Sequence, residues 1–445
     1  MKLRGLLIAA AVLAALLGAL YWSNHHGSNA DSAAKTAVDA PTKILSLSQS
    51  DITGLTIHRK TEPPVDLSRN NSGVWQITVP KSLAADQDSV SSVLSALSSL
   101  NAERLLEEQA SDLASYGLTA PSVEIDVTSK NNKTQKLLIG DQTPSGNAFY
   151  AVLAGDHRLF TVASYTKSSV DKTVDDLRDK RLLTADFDKV SQVELITQRP
   201  EKKQDVTFAR NKDAWQILKP APYRAESYKV EDLVRSLKEA KMEAGSDDSK
   251  DAAAFKSAVP FAIARISGAS GMQELEIRKA KDNYYAKSTG LPGIYKVPAT
   301  LATSLDKPLD DFRNKKLFDF GYEDPNKFEL HDGSKSYVFT HSGSDWWSAD
   351  SKKLDDSTVQ ALLGNIRDLS AEKFPDSGFT APSLEIIVTS NDNKRVERVS
   401  IAKRGSEYIA KRENEPALYE LSSSAISQLE NSAAKVQPAA PPPSK

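Results

Sequence analysis

Three stretches of the chain repeat one apolar spacing: residues 86–100 read DQDSVSSVLSALSSL, residues 226–240 read ESYKVEDLVRSLKEA, and residues 355–369 read DDSTVQALLGNIRDL. Because 3.6 residues make one helical turn, this spacing puts the apolar side chains on one stripe of an α-helix. Each stretch opens with an acidic residue (Asp86, Glu226 or Asp355), which can cap the positive end of the helix. Three matching helices predict three copies of one module.

Strand patterns keep the same register around these helices. Trp215 follows Trp75 by 140 positions, and Val230 follows Val90 by the same 140. Runs of strands interrupted by single helices are typical of an antiparallel sheet with helices on one face. We therefore predict an α+β fold of three tandem antiparallel-sheet-plus-helix repeats, at residues 43–184, 185–319 and 320–434.

Composition limits the classes of protein that fit. The 445 residues suit about three domains, and 26% charged with 40% hydrophobic residues is ordinary for a folded soluble region. A formal net charge of −2 argues against a nucleic-acid partner. The chain contains no cysteine, which excludes disulfides, thiolate catalysis, cysteine-ligated metals and an N-terminal lipidated cysteine.

The first 22 residues predict a membrane segment. Lys2 and Arg4 precede an uncharged apolar run from Gly5 to Trp22, which would rise about 27 Å as a helix, enough for the hydrocarbon core. The basic start and the aromatic end favour a single-pass anchor whose N-terminus is cytoplasmic. The alternative is a cleaved signal peptide, but the small residues of Ser28-Asn29-Ala30 lie well beyond the apolar run. Both interpretations put the rest of the chain outside the cytoplasm.

Two polar or proline-rich segments flank the repeats. Residues 23–42 are polar and poor in aromatic residues, and we interpret them as a flexible stalk. Residues 435–445 contain Pro441-Pro442-Pro443, and we interpret them as a disordered tail.

Several short motifs resemble one bacterial family. They are Tyr116-Gly117-Leu118-Thr119-Ala120-Pro121, Ile139-Gly140-Asp141-Gln142-Thr143, Phe149-Tyr150-Ala151 and the closing Leu177-Arg178-Asp179-Lys180. Together they resemble the domain-of-unknown-function family 4340 (DUF4340). The likeness is weaker in the second copy, and the third lacks the closing motif. The resemblance implies a protein anchored in the bacterial inner membrane with its bulk in the periplasm, often encoded beside gliding-type ABC transporters. It implies no catalytic residues.

Catalytic and metal motifs give little signal. The six histidines have no metal-ligand spacing on a predicted helix, and no Gly-x-Ser-x-Gly elbow accompanies them. The glycine-rich segment at 140–146 lacks the Gly-Lys-Ser/Thr ending of a phosphate loop and is better explained as a hairpin turn. Neighbouring carboxylates such as Asp175-Asp176 are better explained as capping or solvated charge than as a glycosidase pair. We therefore predict no catalytic residue, cofactor or metal.

Four residues are candidates for contact with a partner. Arg178 and Arg313 each follow an acidic pair and an apolar residue, which indicates a repeated structural ion pair or, alternatively, a partner-facing patch. Trp75 and Trp215 recur in register and are expected in the core. Adjacent strand residues point to opposite faces, so one of Trp346 and Trp347 should be exposed or at an interface between modules.

These expectations favour a non-catalytic, membrane-tethered binding or scaffold protein outside the cytoplasm, as an accessory component of an ABC-type transporter or envelope complex. The alternative is an envelope hydrolase acting on glycan or peptide, with acidic residues from two modules converging in a cleft. A solute-binding receptor fits less well, because such receptors usually contain parallel βα units.

Overall fold

The structure, a computed structural model, describes residues 42–198, 203–212, 214–246, 248–321, 325–333 and 335–440. The predicted membrane segment and nearly all of the stalk lie outside these residues. Three antiparallel sheets follow one another in the described part, each with helices packed against it, which confirms an α+β fold of three modules. The chain divides into two compact units, one ending at Asp179 and the other beginning at Lys180.

The first repeat forms the first unit. Its strands are β1 Ile52–Arg59, β2 Glu62–Arg69, β3 Trp75–Val79, β4 Leu83–Ala84, β5 Arg104–Glu107, β6 Val123–Ser129, β7 Thr134–Gln142, β8 Ala148–Leu153 and β9 Leu159–Ala163. Its α-helices are α1 Gln87–Ser98, α2 Ser164–Val170 and α3 Val174–Leu177. Among its described residues the sheet order is β4-β3-β2-β1-β6-β7-β8-β9-β5.

The second repeat follows the same plan. Its strands are β10 Val190–Gln198, β11 Lys203–Asn211, β12 Ala214–Lys219, β13 Tyr223–Arg224, β14 Val259–Gly268, β15 Gly271–Ala280, β16 Asn283–Ser288 and β17 Ile294–Val297. Its helices are α4 Ser227–Lys238, α5 Asp248–Ser257, α6 Ala299–Leu305 and α7 Leu309–Phe312. The sheet order is β13-β12-β11-β10-β14-β15-β16-β17.

The third repeat is the shortest. Its strands are β18 Pro325–Asp332, β19 Lys335–Ser342, β20 Asp345–Ser348, β21 Leu384–Ser390, β22 Arg395–Arg404, β23 Glu407–Arg412 and β24 Leu418–Leu421. Its helices are α8 Asp356–Asp368 and α9 Ser423–Ala434. The sheet order is β20-β19-β18-β21-β22-β23-β24.

The main helix of each repeat (α1, α4 and α8) buries the predicted stripe. Val90, Val230 and Val359 are each fully buried and begin their stripes. Asp86 accepts a hydrogen bond from the Ser89 amide at 2.8 Å, and Asp355 caps α8 in the same way. The Glu226 side chain makes no capping hydrogen bond, so the capping prediction holds for two of the three helices.

The tryptophan strand is tied to the start of the main helix. The Gln87 side chain accepts a hydrogen bond from the Trp75 amide and donates one to the Trp75 carbonyl. At the equivalent place in the second repeat, the Ser227 hydroxyl accepts from the Trp215 amide at 3.1 Å. Both indoles are buried, which confirms the predicted core role.

The two faces of each sheet differ as predicted. On β6, Val123, Ile125 and Val127 are buried in the core, whereas Glu124 and Asp126 are half-buried on the other face. In the second repeat, helix α5 covers part of this other face through Phe255, whose ring lies 4.5 Å from the Arg278 guanidinium.

The segment after the main helix covers one edge of each sheet. In the first repeat β5 pairs with β9. In the second, the Glu243 amide donates to the Lys296 carbonyl on β17, and in the third the Glu372 amide donates to the Glu420 carbonyl on β24. Covering an edge in this way prevents pairing with another chain.

The closing motif joins two repeats instead of ending one. Asp179 donates its amide to the Ala84 carbonyl in the first repeat, whereas Leu182 donates to the Ala240 carbonyl and lies in the core of the second. The boundary therefore falls between Asp179 and Lys180, not after 184 as predicted. The next boundary likewise falls near Lys315, not after 319, since Leu317 belongs to the third core.

The end of the third repeat corrects the predicted tail. Val436 packs against the third core, the Asp355 amide donates to the Gln437 carbonyl, and the Ala439 amide donates to the Lys353 carbonyl. This strand-like segment occupies the place that the closing motif takes in the other repeats. Disorder from 435 onwards is therefore wrong for these residues, while 441–445 lie outside the described part.

Candidate functional site

Within the second unit, the second and third repeats meet through an ion cluster. Arg224, on the short strand β13, donates to the Lys316 carbonyl and pairs with Asp319 at 2.8 Å and with Glu415 at 3.1 Å. The Tyr419 hydroxyl donates to Glu415 at 2.8 Å. We call Arg224, Asp319, Glu397, Arg412 and Glu415 the junction cluster.

Arg412 and Glu397 complete this cluster from the third repeat. Arg412 lies 2.9 Å from Glu415 and 3.3 Å from Glu397, and Arg395 lies 3.1 Å from Glu397. Burial pushes the pKa of Arg224 down, but the fields of Tyr419, Asp319 and Glu415 outweigh it and raise that pKa above its usual range. With Arg395 counted, three arginines face the three carboxylates, so the cluster is a charge-balanced joint in which Arg224 stays protonated.

Arg313 lies at the same junction in a different environment. Its guanidinium carbon is 4.1 Å from the ring centre of Tyr223 and 3.7 Å from that of Phe374, so the planar group lies between aromatic residues of two repeats. The residue is 8% exposed. In the described part of the chain its hydrogen-bond acceptor is Asp310, at 3.4 Å.

A cleft of about 460 Å³, which we call the junction cleft, opens beside Arg313. The second repeat contributes Tyr223 and Arg313, and the third contributes Gly378, Phe379 and Lys411. It is thus a concave site built from two repeats and lined by cationic side chains, the kind of place where a ligand can bind.

The wall of this cleft includes part of Gly378-Phe379-Thr380-Ala381-Pro382, which matches the motif Gly117-Leu118-Thr119-Ala120-Pro121 of the first repeat. In the first repeat the same motif is packed shut: a Cβ on Gly140 would lie 2.2 Å from the Tyr116 carbonyl, and the rings of Tyr116 and Tyr150 are 4.8 Å apart. In the third repeat Gly378 and Phe379 instead line the junction cleft. The same motif therefore packs into a small core in the first repeat and lines a cleft in the third.

The structure places the four predicted contact residues in different surroundings. Arg178 pairs with Asp175 at 2.8 Å and Arg313 with Asp310, so both predicted structural ion pairs are formed. Trp346 is 2% exposed and packs on Phe328, with ring centres 5.4 Å apart. Trp347, on the opposite face of β20, is half-buried. Contact of any of these residues with a partner stays a prediction.

Sequence reasoning missed the junction cluster. Arg224 lies in a two-residue strand after Pro220-Ala221-Pro222, and its partners are about ninety or more positions away. A comparison of the copies could have pointed to the cluster, because the second repeat has Arg224 at the position where the first repeat has Ala84.

Among the described residues, His58, Glu124 and Asp126 place possible metal-ligand atoms within 4.8 Å of one another. Lys136 already pairs with Glu124 and lies 3.6 Å from Asp126, so an ammonium group already contacts both carboxylates. A similar cross-strand pair recurs in the third repeat, where His331 lies opposite Glu385. We interpret both as polar pairs of the open sheet face.

Among the described carboxyl, lysine and arginine groups, the displaced pKa values all favour the charged form, while the raised pKa values of Tyr116 and Tyr419 favour the neutral phenol. Every carboxyl group with a displaced pKa has it lowered, and every lysine or arginine with a displaced pKa has it raised. Except at Arg224, the largest cause is a side-chain hydrogen bond. These groups stay charged near neutral pH, unlike the raised carboxylates or lowered lysines of acid–base centres.

The helices in the described part are too short or too polar to cross a bilayer.

A model of the family described as "Domain of unknown function (DUF4340)" matches residues 75–252 and, a second time, residues 215–385. Each match begins at a strand tryptophan, Trp75 or Trp215, and runs through a closing motif into the next repeat. No curated protein and no solved structure matches the chain. The two matches together extend over more than half of the sequence, and the chain therefore belongs to the DUF4340 family.

Proposed function

We propose that this protein is a non-catalytic, membrane-tethered binding or scaffold protein outside the cytoplasm, serving as an accessory component of an ABC-type transporter or envelope complex. The supporting observation is the charge state of the described carboxyl, lysine and arginine groups whose pKa is displaced. They are fixed in their charged forms by hydrogen bonds and ion pairs, which suits recognition through fixed charges better than proton transfer.

The junction between the second and third repeats supports the same proposal. A glycan hydrolase would need two carboxylates free to exchange protons across a cleft. At this junction Asp319, Glu397 and Glu415 are each paired with arginine. The acidic groups therefore hold the repeats together and present no acid–base pair.

The N-terminal sequence supports the location. The apolar run from Gly5 to Trp22 follows basic residues, as expected for a single-pass segment of the bacterial inner membrane with a cytoplasmic N-terminus. The repeats would then lie in the periplasm, where each offers a separate surface to the complex.

Affinity purification of the full chain from intact membranes tests this proposal. We expect transporter or envelope-complex subunits to co-purify, and Trp347→Ala to lower their yield if the third repeat makes the contact. Tyr165→Ala, at an exposed aromatic residue of the first repeat, is the matched control. The proposal fails if no such subunit co-purifies, or if the purified chain cleaves peptidoglycan.

A further inference from the structure

We propose that the junction cleft binds a small organic anion, whose carboxylate or phosphate group contacts Arg313. This extends the proposed binding function to a defined site, and the two proposals can fail separately.

The first reason is the way in which Arg313 is held. The rings of Tyr223 and Phe374 lie over its guanidinium at 4.1 and 3.7 Å, which fixes the plane and directs the N–H groups sideways. A guanidinium fork fixed in this way matches the two oxygens of a carboxylate or phosphate. Such preorganisation lowers the entropy lost when a ligand binds.

The second reason is the charge that Arg313 leaves uncompensated. The residue is more than nine-tenths buried, yet its acceptor in the described part is Asp310, whose side chain is 54% exposed and whose oxygen is 3.4 Å away. Arg224 at the same junction contacts two carboxylates, a carbonyl and a tyrosine hydroxyl. A buried cation with one weak partner is stabilised by any anion that reaches it.

The third reason is the composition of the cleft beside it. Lys411 is exposed on the wall and makes no ion pair with a described residue, so two cationic groups face one space. The acidic residue that lines the same cleft is Asp376, so the charged side chains of the lining sum to a net positive charge. Tyr223, Phe379 and Pro416 supply apolar walls for the body of a ligand.

The volume limits the ligand. About 460 Å³ holds a small molecule or one end of a larger one, with its charged group at Arg313 and an apolar part against the aromatic walls. Benzoate, phenyl phosphate and inorganic phosphate are therefore suitable probes, and neutral benzamide is the control that has the same ring.

The test is titration of the full-length protein in neutral detergent, followed by calorimetry and by the Nε–H NMR signal of Arg313. We expect benzoate or phenyl phosphate to bind and benzamide not to bind. Binding by phenyl phosphate but not benzoate would assign a phosphate ligand, and the reverse a carboxylate. Binding of inorganic phosphate alone would show an adventitious ion site and overturn the proposal.

Matched variants locate the site. Arg313→Lys keeps the charge but removes the fork, and should weaken binding about tenfold, equal to about 1.4 kcal/mol. Lys411→Gln, at an exposed position that should not affect folding, should weaken it severalfold, while Lys403→Gln on the neighbouring strand should leave it unchanged. Equal binding by all three variants, or no anion binding by the wild type, would overturn the proposal.

Discussion

The Arg313 guanidinium lies 3.7 Å from the ring centre of Phe374, and this contact links the second repeat to the third. A buried cation–aromatic contact contributes about 2 kcal/mol. We expect Phe374→Leu and Arg313→Met each to lower the free energy of unfolding of the second unit. In a double-mutant cycle measured by denaturant unfolding, the two changes should not be additive. Arg235→Met, at an exposed arginine, is the control and should cost less than about 0.5 kcal/mol. Full additivity would contradict the contact.

Gly140 is expected to tolerate no side chain. A Cβ there would lie 2.2 Å from the Tyr116 carbonyl, which is backbone and cannot move aside easily. Gly140→Ala should destabilise the first unit by about 3 kcal/mol, a typical cost of overpacking. Gly155→Ala is the control in the same unit, since it has a φ of +86° but open space around it. It should cost about 1 kcal/mol, from backbone conformation alone. Equal losses in thermal unfolding would show that the close approach is not limiting.

The segment from Val436 to Ala439 is expected to stabilise the third repeat. Truncation after Lys435 removes the two backbone hydrogen bonds to Lys353 and Asp355, which lie just before α8, and the packing of Val436. It should cost about 2 kcal/mol. Truncation after Ala440 keeps these contacts and should leave the unfolding midpoint unchanged. Hydrogen exchange at the Asp355 amide measures the same edge directly. Equal stability of the two truncated proteins would contradict the pairing.

Glu329 should make the stability of the second unit depend on pH in the acid range. A hydrogen bond from Lys327 and the charge of His331 hold the pKa of Glu329 below its ordinary value, although burial opposes them. The unfolded chain therefore binds a proton more readily, so the stabilisation is complete above the ordinary pKa and is lost as pH falls through the lower, folded pKa. Glu329→Gln should flatten this loss in denaturation series between about pH 3 and about pH 6. Glu430→Gln, at an exposed helix position, should not change it.

Sequence periodicity predicted the main helices because their stripes are long and strictly spaced. It missed the hairpin partner β2, since Pro63-Pro64 and flanking charges leave two buried apolar residues in that strand. Helix α9 was missed for a similar reason, because Ile426, Leu429 and Ala433 form a sparse stripe.

The candidate site depended on contacts that no local pattern encodes. Arg313 was singled out from its motif. Its partner Phe374 is distant in sequence, and no rule of residue spacing predicts that the two side chains meet. The cleft exists because two repeats meet, so it could be predicted only from the packing of one copy on the next.

The closing motif also bears on how an array of these repeats lengthens by duplication. Because Asp179 completes one module and Leu182 starts the following one, a segment copied from one tryptophan strand to the next carries its own connector. Duplication of that segment lengthens the array and supplies the connecting segment to the next module at the same time.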